Sequence, residues 1–317
     1  LFTLSYQGKV SNISLPIDEP MGSPVFHPNG NRMLMIKGQW DSDVAKISLL
    51  NNSEIASTQT LDNQVNELPS SSPSIFERTT VEESHAIYQP LGDLIAFKSD
   101  RTGEDQLWIT DGSNLQQLTT FPTDTYILGA DWAADGQSLL VNATYQLTQV
   151  NLDSSQHTVP FEHRIEQLFQ WDSINNTALI TARIKGTLVF GELNLNTSKF
   201  SSITDKRVNW AVKSEDGRII YTDHLDQFWQ TGPAEFELIE ALLTQGSDKR
   251  FITKNNILYG VNETLFLWSY ILDTGEFNAI TKLPDKTDYL DDINHEEALI
   301  TMRIIAKKEV AELVLTE

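Results

Sequence analysis

Six histidines, His27, His85, His157, His163, His224 and His295, are the side chains best suited to proton transfer or metal ligation near neutral pH. No two have the His-x-x-x-His spacing of a helical zinc site, and without cysteine there is no thiolate ligand. His157 and His163 flank a turn and read as surface residues. No Gly-x-Ser-x-Gly elbow is present to present a hydrolase nucleophile. The densest acidic group, Asp291-Asp292 with His295 and Glu296-Glu297, has the hard oxygen ligands a divalent cation takes. It lacks the Asp-x-Asp-x-Asp-Gly loop of a calcium site and reads as a solvated turn. Asp100-Arg101 is either an exposed charge pair or part of a hairpin in which the aspartate accepts backbone N–H groups; turn chemistry favours the second. The sequence therefore assigns no catalytic residue, no metal site and no cofactor, and the expected activity is binding.

Composition narrows the partners. Lys and Arg total 23 against 44 Asp and Glu, a formal charge of -21, which repels phosphate backbones and anionic lipid alike. No nucleic-acid contact is expected from this segment, and membrane attachment is expected only through a span upstream. The absence of cysteine leaves the redox compartment open and suits a periplasmic location. With 40% hydrophobic residues over 317 positions, a sizeable core can form. Leu1 begins inside a strand-like run, so the chain reads as part of a longer protein.

The elements that would position any site repeat. A short apolar strand, a Gly, Asn or Asp turn and a second apolar strand recur with turns at Gly30, Gly92, Gly136, Asn176, Gly217, Asn256 and Glu296. Successive spacings are 62, 44, 40, 41, 39 and 40. Asp-Gly and Asn-Asn pairs suit tight hairpins because those residues tolerate positive φ. Each repeat adds a third strand, such as 106–110 or 188–193, and a short fourth, such as 115–119 or 200–204. Four antiparallel strands per repeat is the blade of a β-propeller, here an all-β fold of about seven blades in a single domain, 1–317. The last repeat has its third strand at 310–316 and takes its fourth from 10–15, closing the ring with strands from both termini. Residues 1–5 are a surplus strand. The long first spacing marks an inserted loop at 61–84, and 233–246 reads as an outer strand.

Inner strands of a propeller converge on a central channel, so residues in matching repeat positions meet there. Asp131, Gln170, Asn209 and Asp292 are placed at the channel mouth, with Trp132, Trp171 and Trp210 beside them as walls or inter-blade packing. Alanine at Asp131 or Gln170 is expected to leave stability nearly unchanged if they line an open mouth, and to destabilise if they hydrogen-bond between blades.

Residues 94–112, from Leu-Ile-Ala-Phe-Lys-Ser-Asp-Arg-Thr-Gly to Leu-Trp-Ile-Thr-Asp-Gly, followed by Leu-Gln-Gln-Leu-Thr at 115–119, resemble the repeat of TolB-like propellers. The match is good over 86–141, looser at 23–49 and degenerate from 170 onward. The small amino-terminal α/β domain of free-standing TolB has no counterpart in the chain. The sequence is also similar to the periplasmic portion of CadC/ToxR-type regulators, in which a cytoplasmic winged helix is joined through one membrane helix to an extracytoplasmic sensor. That resemblance implies a sensory domain binding a small molecule or a periplasmic protein. The alternatives are a periplasmic TolB-like protein-binding scaffold and, third, a hydrolase or lyase using the channel mouth.

Overall fold

The structure, a computed structural model, describes residues 2–4, 6–12, 21–28, 32–49, 72–76, 79–232 and 235–314. Two compact units result, one of Leu1–Asp41 with Ile304–Glu317 and one of Ser42–Arg303.

In the smaller unit, β1 (Phe2–Leu4) pairs with β2 (Val10–Asn12) as an antiparallel hairpin, and β3 (Met21–Phe26) pairs with the start of β4 (Arg32–Ser48). The expectation that 10–15 would complete the last blade is thereby corrected for its described part. Val10–Asn12 finds its partner in the nearby surplus strand, which needs only a short loop to close.

The larger unit is the propeller. β5 (Ser74–Ile75) is followed by β6 (Glu83–Tyr88), β7 (Ile95–Ser99), β8 (Gln106–Thr110) and β9 (Leu115–Gln117), the last four forming one sheet. The next sheets are β10 (Ile127–Trp132) to β13 (Gln156–Thr158), β14 (Arg164–Asp172) to β17 (Lys199–Thr204), β18 (Val208–Lys213) to β21 (Phe236–Leu238), and β22 (Ile252–Lys254) to β25 (Phe277–Lys282). Each is a four-stranded antiparallel meander in chain order, as its alternating turns and apolar runs require. β26 (Thr287–Ile293) and β27 (Glu297–Val314) join β4, with β5 on the far side of β4, so this sheet draws strands from both ends of the chain. The first and last repeats thus share a sheet. The six inner strands β6, β10, β14, β18, β22 and β26 neighbour one another in that order, and β26 lies beside β6.

Residues 50–71 lie outside the described residues, and the inserted loop at 61–84 is shorter in its described part than the spacing implied. Ser74–Ile75 already pairs with β4, and Glu83 and Ser84 belong to β6. In 233–246 the outer strand is confirmed at Phe236–Leu238 and gives way to a 3-10 turn at Glu240–Leu242.

Large side chains fill the space between blade faces. Trp268, Tyr221, Phe97, Phe190 and Phe251 are fully buried, each contributing on the order of 1.5–3 kcal/mol by apolar burial. Adjacent blades also meet closely at turns. Gly136 has φ +68, and a Cβ there would stand 2.4 Å from the Pro90 carbonyl oxygen of the neighbouring blade. Gly136→Ala is expected to destabilise the propeller by about 1–3 kcal/mol, read from its urea midpoint, because strain and clash act together.

Candidate functional site

The inner strands are not regular, and their irregularity builds the site. Pairing with the second strand skips at Ser84/Ile87, Ile127/Ala130, Leu168/Gln170, Val208/Trp210 and Leu290/Asp292. Such bulges leave a residue outside the ladder and re-aim its side chain. His85, at φ +58, and Asp291 are two residues so released, from β6 and β26.

Their side chains face a central cavity of about 150 Å³. His85 and Tyr88 from β6, Asp131 and Trp132 from β10, Gln170 from β14, Trp210 from β18, Arg250 and Lys254 at β22, and Asp291 and Asp292 from β26 all line it. Arg250 Nη2 lies 2.6 Å from His85 Nε2, and its Nη1 lies 3.5 Å from Asp291 Oδ1. The guanidinium stacks 4.9 Å from the Trp210 ring and 4.5 Å from Tyr289. Thr301 Oγ1 donates to Asp291 Oδ2 at 2.5 Å. Lys254 Nζ meets Asp292 Oδ1 at 3.1 Å.

Burial dominates the electrostatics. It pushes Asp291 up to about 7, against the pull of Arg250 and the Thr301 hydroxyl, and pushes Asp131 up to about 7 against two backbone hydrogen bonds and Lys254. His85 is held well below 6.5 by burial and then by the Arg250 and Lys98 charges, so it is neutral.

The tautomer of His85 follows. A guanidinium only donates, so Nε2 must be the acceptor and Nδ1 carries the proton. Ser84 Oγ, 3.0 Å from Nδ1, is therefore the acceptor of that N–H. The imidazole has no lone pair facing the hydroxyl and cannot take its proton. Ser84 and His85 are not a nucleophile and base.

Five of the residues predicted from the sequence line this cavity: Asp131, Gln170, Asp292, Trp132 and Trp210. Three of them are latches to the next blade. Asp131 Oδ2 accepts the Trp171 N–H at 2.7 Å, and Asp292 Oδ2 accepts the Tyr88 N–H at 2.9 Å. Gln170 accepts from the Lys213 N–H and donates to its carbonyl, at 2.7 and 3.1 Å. Trp132 Nε1 donates to the Ile87 carbonyl and Trp210 Nε1 to that of Phe251, again across blades.

Asn209 lies away from the cavity, and Trp171 takes the inter-blade packing that is the other reading of its position. Asn209 Nδ2 turns to the Asp223 carbonyl and Asp226 Oδ1 in its own blade, at 2.8 and 3.1 Å, a capping role its short amide suits. Trp171 is packed among Leu140, Leu147 and Ile180, where apolar burial outweighs lining a channel. The solvated-turn reading of the acidic cluster is also corrected in half. His295 and Glu296 are on the exposed turn, whereas Asp291 and Asp292 are buried. Among the described residues, no group of three or more His, Cys, Asp or Glu is placed to hold a metal ion.

His85, Tyr88, Arg250, Lys254 and Asp291 are the lining residues that sequence reasoning did not assign. Asp291 was visible as half of an acidic pair; the others sit one or more residues off the repeat position. Asp100 does accept a backbone N–H, that of Glu82, at 3.0 Å. Arg101, by contrast, is half-buried against Phe97 and Trp108 and paired with Glu83.

No family model matches the sequence, and no curated protein matches it. Solved structures do. A chain of the nidogen/laminin complex is 9% identical over 77% of this chain and 94% of its own length, with a TM-score of 0.52. TolB from Acinetobacter baumannii is 12% identical over 85% of this chain and 65% of its own, with a TM-score of 0.51. The chain is a β-propeller. Its structural neighbours include TolB-like propellers, and YCF48 bound to D1 peptide is a further one, 9% identical over 78% of this propeller and 83% of YCF48, with a TM-score of 0.50. At these identities the likeness is one of fold.

Proposed function

We propose that this propeller is a binding domain without enzymatic activity, working outside the cytoplasm as the sensory portion of a membrane-anchored winged-helix transcriptional regulator. The observation that carries the binding reading is one cavity into which polar and ionisable side chains converge from strands distant in sequence, His85, Asp131, Arg250, Lys254 and Asp291 among them. The orientation of the Ser84–His85 pair supports the absence of hydrolytic chemistry. A protein or peptide partner agrees with neighbours whose structures hold laminin or a D1 peptide. The regulator role rests on sequence resemblance and on the acidic, cysteine-free composition, which suits a periplasmic location.

The upstream reading frame separates this role from that of a free periplasmic scaffold. A basic winged-helix segment followed by one apolar span is the expected finding, and a cleavable signal peptide directly upstream would replace the regulator with a scaffold. Reporter esters, peptides and glycosides are expected to show no turnover; steady turnover of any of them that requires Ser84 would remove the binding-only reading. The isolated propeller is further expected not to retard duplex DNA at about 50 mM salt, since -21 charges oppose counterion release.

A further inference from the structure

Within the channel, Arg250 is the donor group with the most unused capacity. A guanidinium carries five N–H donors. One meets His85 Nε2 at 2.6 Å, another reaches Asp291 Oδ1 at a long 3.5 Å, and the rest have no acceptor among the described residues. Trp210 and Tyr289 cover its faces, so the planar edge is what it offers to the cavity. Asp291 divides its oxygens between the long Arg250 contact, the Thr301 hydroxyl and the His85 backbone N–H, and His85 is neutral. The positive charge of Arg250 is therefore weakly compensated in a low-dielectric site, and a rigid fork of donors matches a carboxylate in both geometry and charge.

We propose that the Arg250 edge is a binding site for a carboxylate, supplied either by a polypeptide, as an acidic side chain or free C terminus, or by a small organic acid. The proposal rests on reading the propeller as a binding domain and names the chemistry its channel selects. The cavity, at about 150 Å³, is below the roughly 300–1,000 Å³ of pockets for drug-sized ligands, so only the carboxylate end and a few atoms behind it enter.

Tryptophan fluorescence and calorimetric titrations of the full chain test it, with acetate, N-acetyl-trialanine as its free acid and as its amide, and amidated N-acetyl-Ala-Glu-Ala as probes, and chloride at matched ionic strength as the control. At least one carboxylate should bind saturably, while the trialanine amide and chloride should not. Acetate binding as tightly as the peptides identifies a small acid, and tighter binding of either peptide carboxylate identifies a polypeptide. Arg250→Gln should weaken binding about tenfold or more, with Arg250→Lys intermediate. No saturable response to any carboxylate up to about 100 mM, or unchanged affinity in Arg250→Gln, would overturn the site.

Should Arg250→Gln fail to fold, the wild-type chain decides. The charged or titratable groups around Arg250 are His85 from β6, with Lys98 from β7 beyond it, and Tyr289 and Asp291 from β26, while Asp131, Lys254 and Asp292 line the same cavity. Of these Asp291 competes for the guanidinium when ionised, so affinity should rise from about pH 8 to about pH 6 with proton uptake. Affinity independent of pH contradicts the proposal. These outcomes bear on the Arg250 site alone, because the binding reading itself turns on the turnover assays.

Discussion

Arg101→Ala is expected to destabilise the propeller by about 3–5 kcal/mol, one of the two largest effects the structure implies. The Arg101 side chain is 14% exposed and its ion-pair partner Glu83 only 1%. Its Nε donates to Ser99 Oγ at 3.1 Å, and its guanidinium lies 5.4 Å from the Phe97 ring and 4.7 Å from Trp108. Alanine removes the stack and strands a carboxylate out of water. Burial already pushes Glu83 up to about 7 with the arginine present, so without it Glu83 takes a proton or destabilises the fold. Glu83→Gln in the Arg101→Ala background should recover part of the loss, since the amide has no charge to strand. Urea unfolding measures both, and a loss under about 1 kcal/mol in the single variant would mean that solvent screens the pair.

The second large effect is on pH. Stability is expected to rise as pH falls from about 7 to about 5, the reverse of ordinary acid denaturation. Asp131 and Asp291 sit near 7 in the folded state against 3.8, and Glu83 near 7 against 4.5. Between those values the folded chain binds more protons than the unfolded one, so stability falls as pH rises through the window. Its full contribution is present below the unfolded values and is lost by about pH 7. Each group adds up to about 1.4 kcal/mol per pH unit within its window. Asp111 and Asp216, lowered to about 2 by hydrogen bonds on the surface, work in the opposite sense only below 3.8, and His85, held well below 6.5, opposes the trend below 6.5 as one group against three. Melting temperatures at pH 5, 6 and 7 should therefore descend in that order, and Asp291→Asn should flatten the profile. A flat wild-type profile, or maximal stability at pH 7, would contradict the burial of these carboxylates.

The blade period was legible because its turns are written in residues that tolerate positive φ, such as Gly136, Asn176, Gly217 and Asn256. That strands from both chain ends share the last sheet was expected, but the amino-terminal partner is Arg32–Ser48 in place of 10–15, because strand pairing between chain ends leaves no local pattern to name the strand. Repeat position alone brought Asp131, Gln170 and Asp292 to the channel. It could not show that the acceptors of all three face backbone N–H groups of the next blade, which makes them part of the frame as well as of the lining. For Asp131→Ala the structure selects the destabilising outcome, because the buried Trp171 N–H loses its acceptor. Bulges explain the misses. One extra residue in β6 and in β26 turns His85 and Asp291 inward, and a period-two pattern has no term for that shift.

The convergence of β6 and β22 on one channel brings His85 and Arg250 together across 165 positions of sequence. Nitrogen-15 NMR of the histidine rings tests this most directly, since the shifts of Nδ1 and Nε2 report tautomer and charge separately. His85 is expected to be neutral and protonated on Nδ1, and to stay neutral well below the usual 6.5 of an imidazole, because burial and the Arg250 charge oppose its protonation. A His85 that titrates near 6.5, or that carries its proton on Nε2, would contradict both the His85–Arg250 contact and the exclusion of Ser84–His85 chemistry.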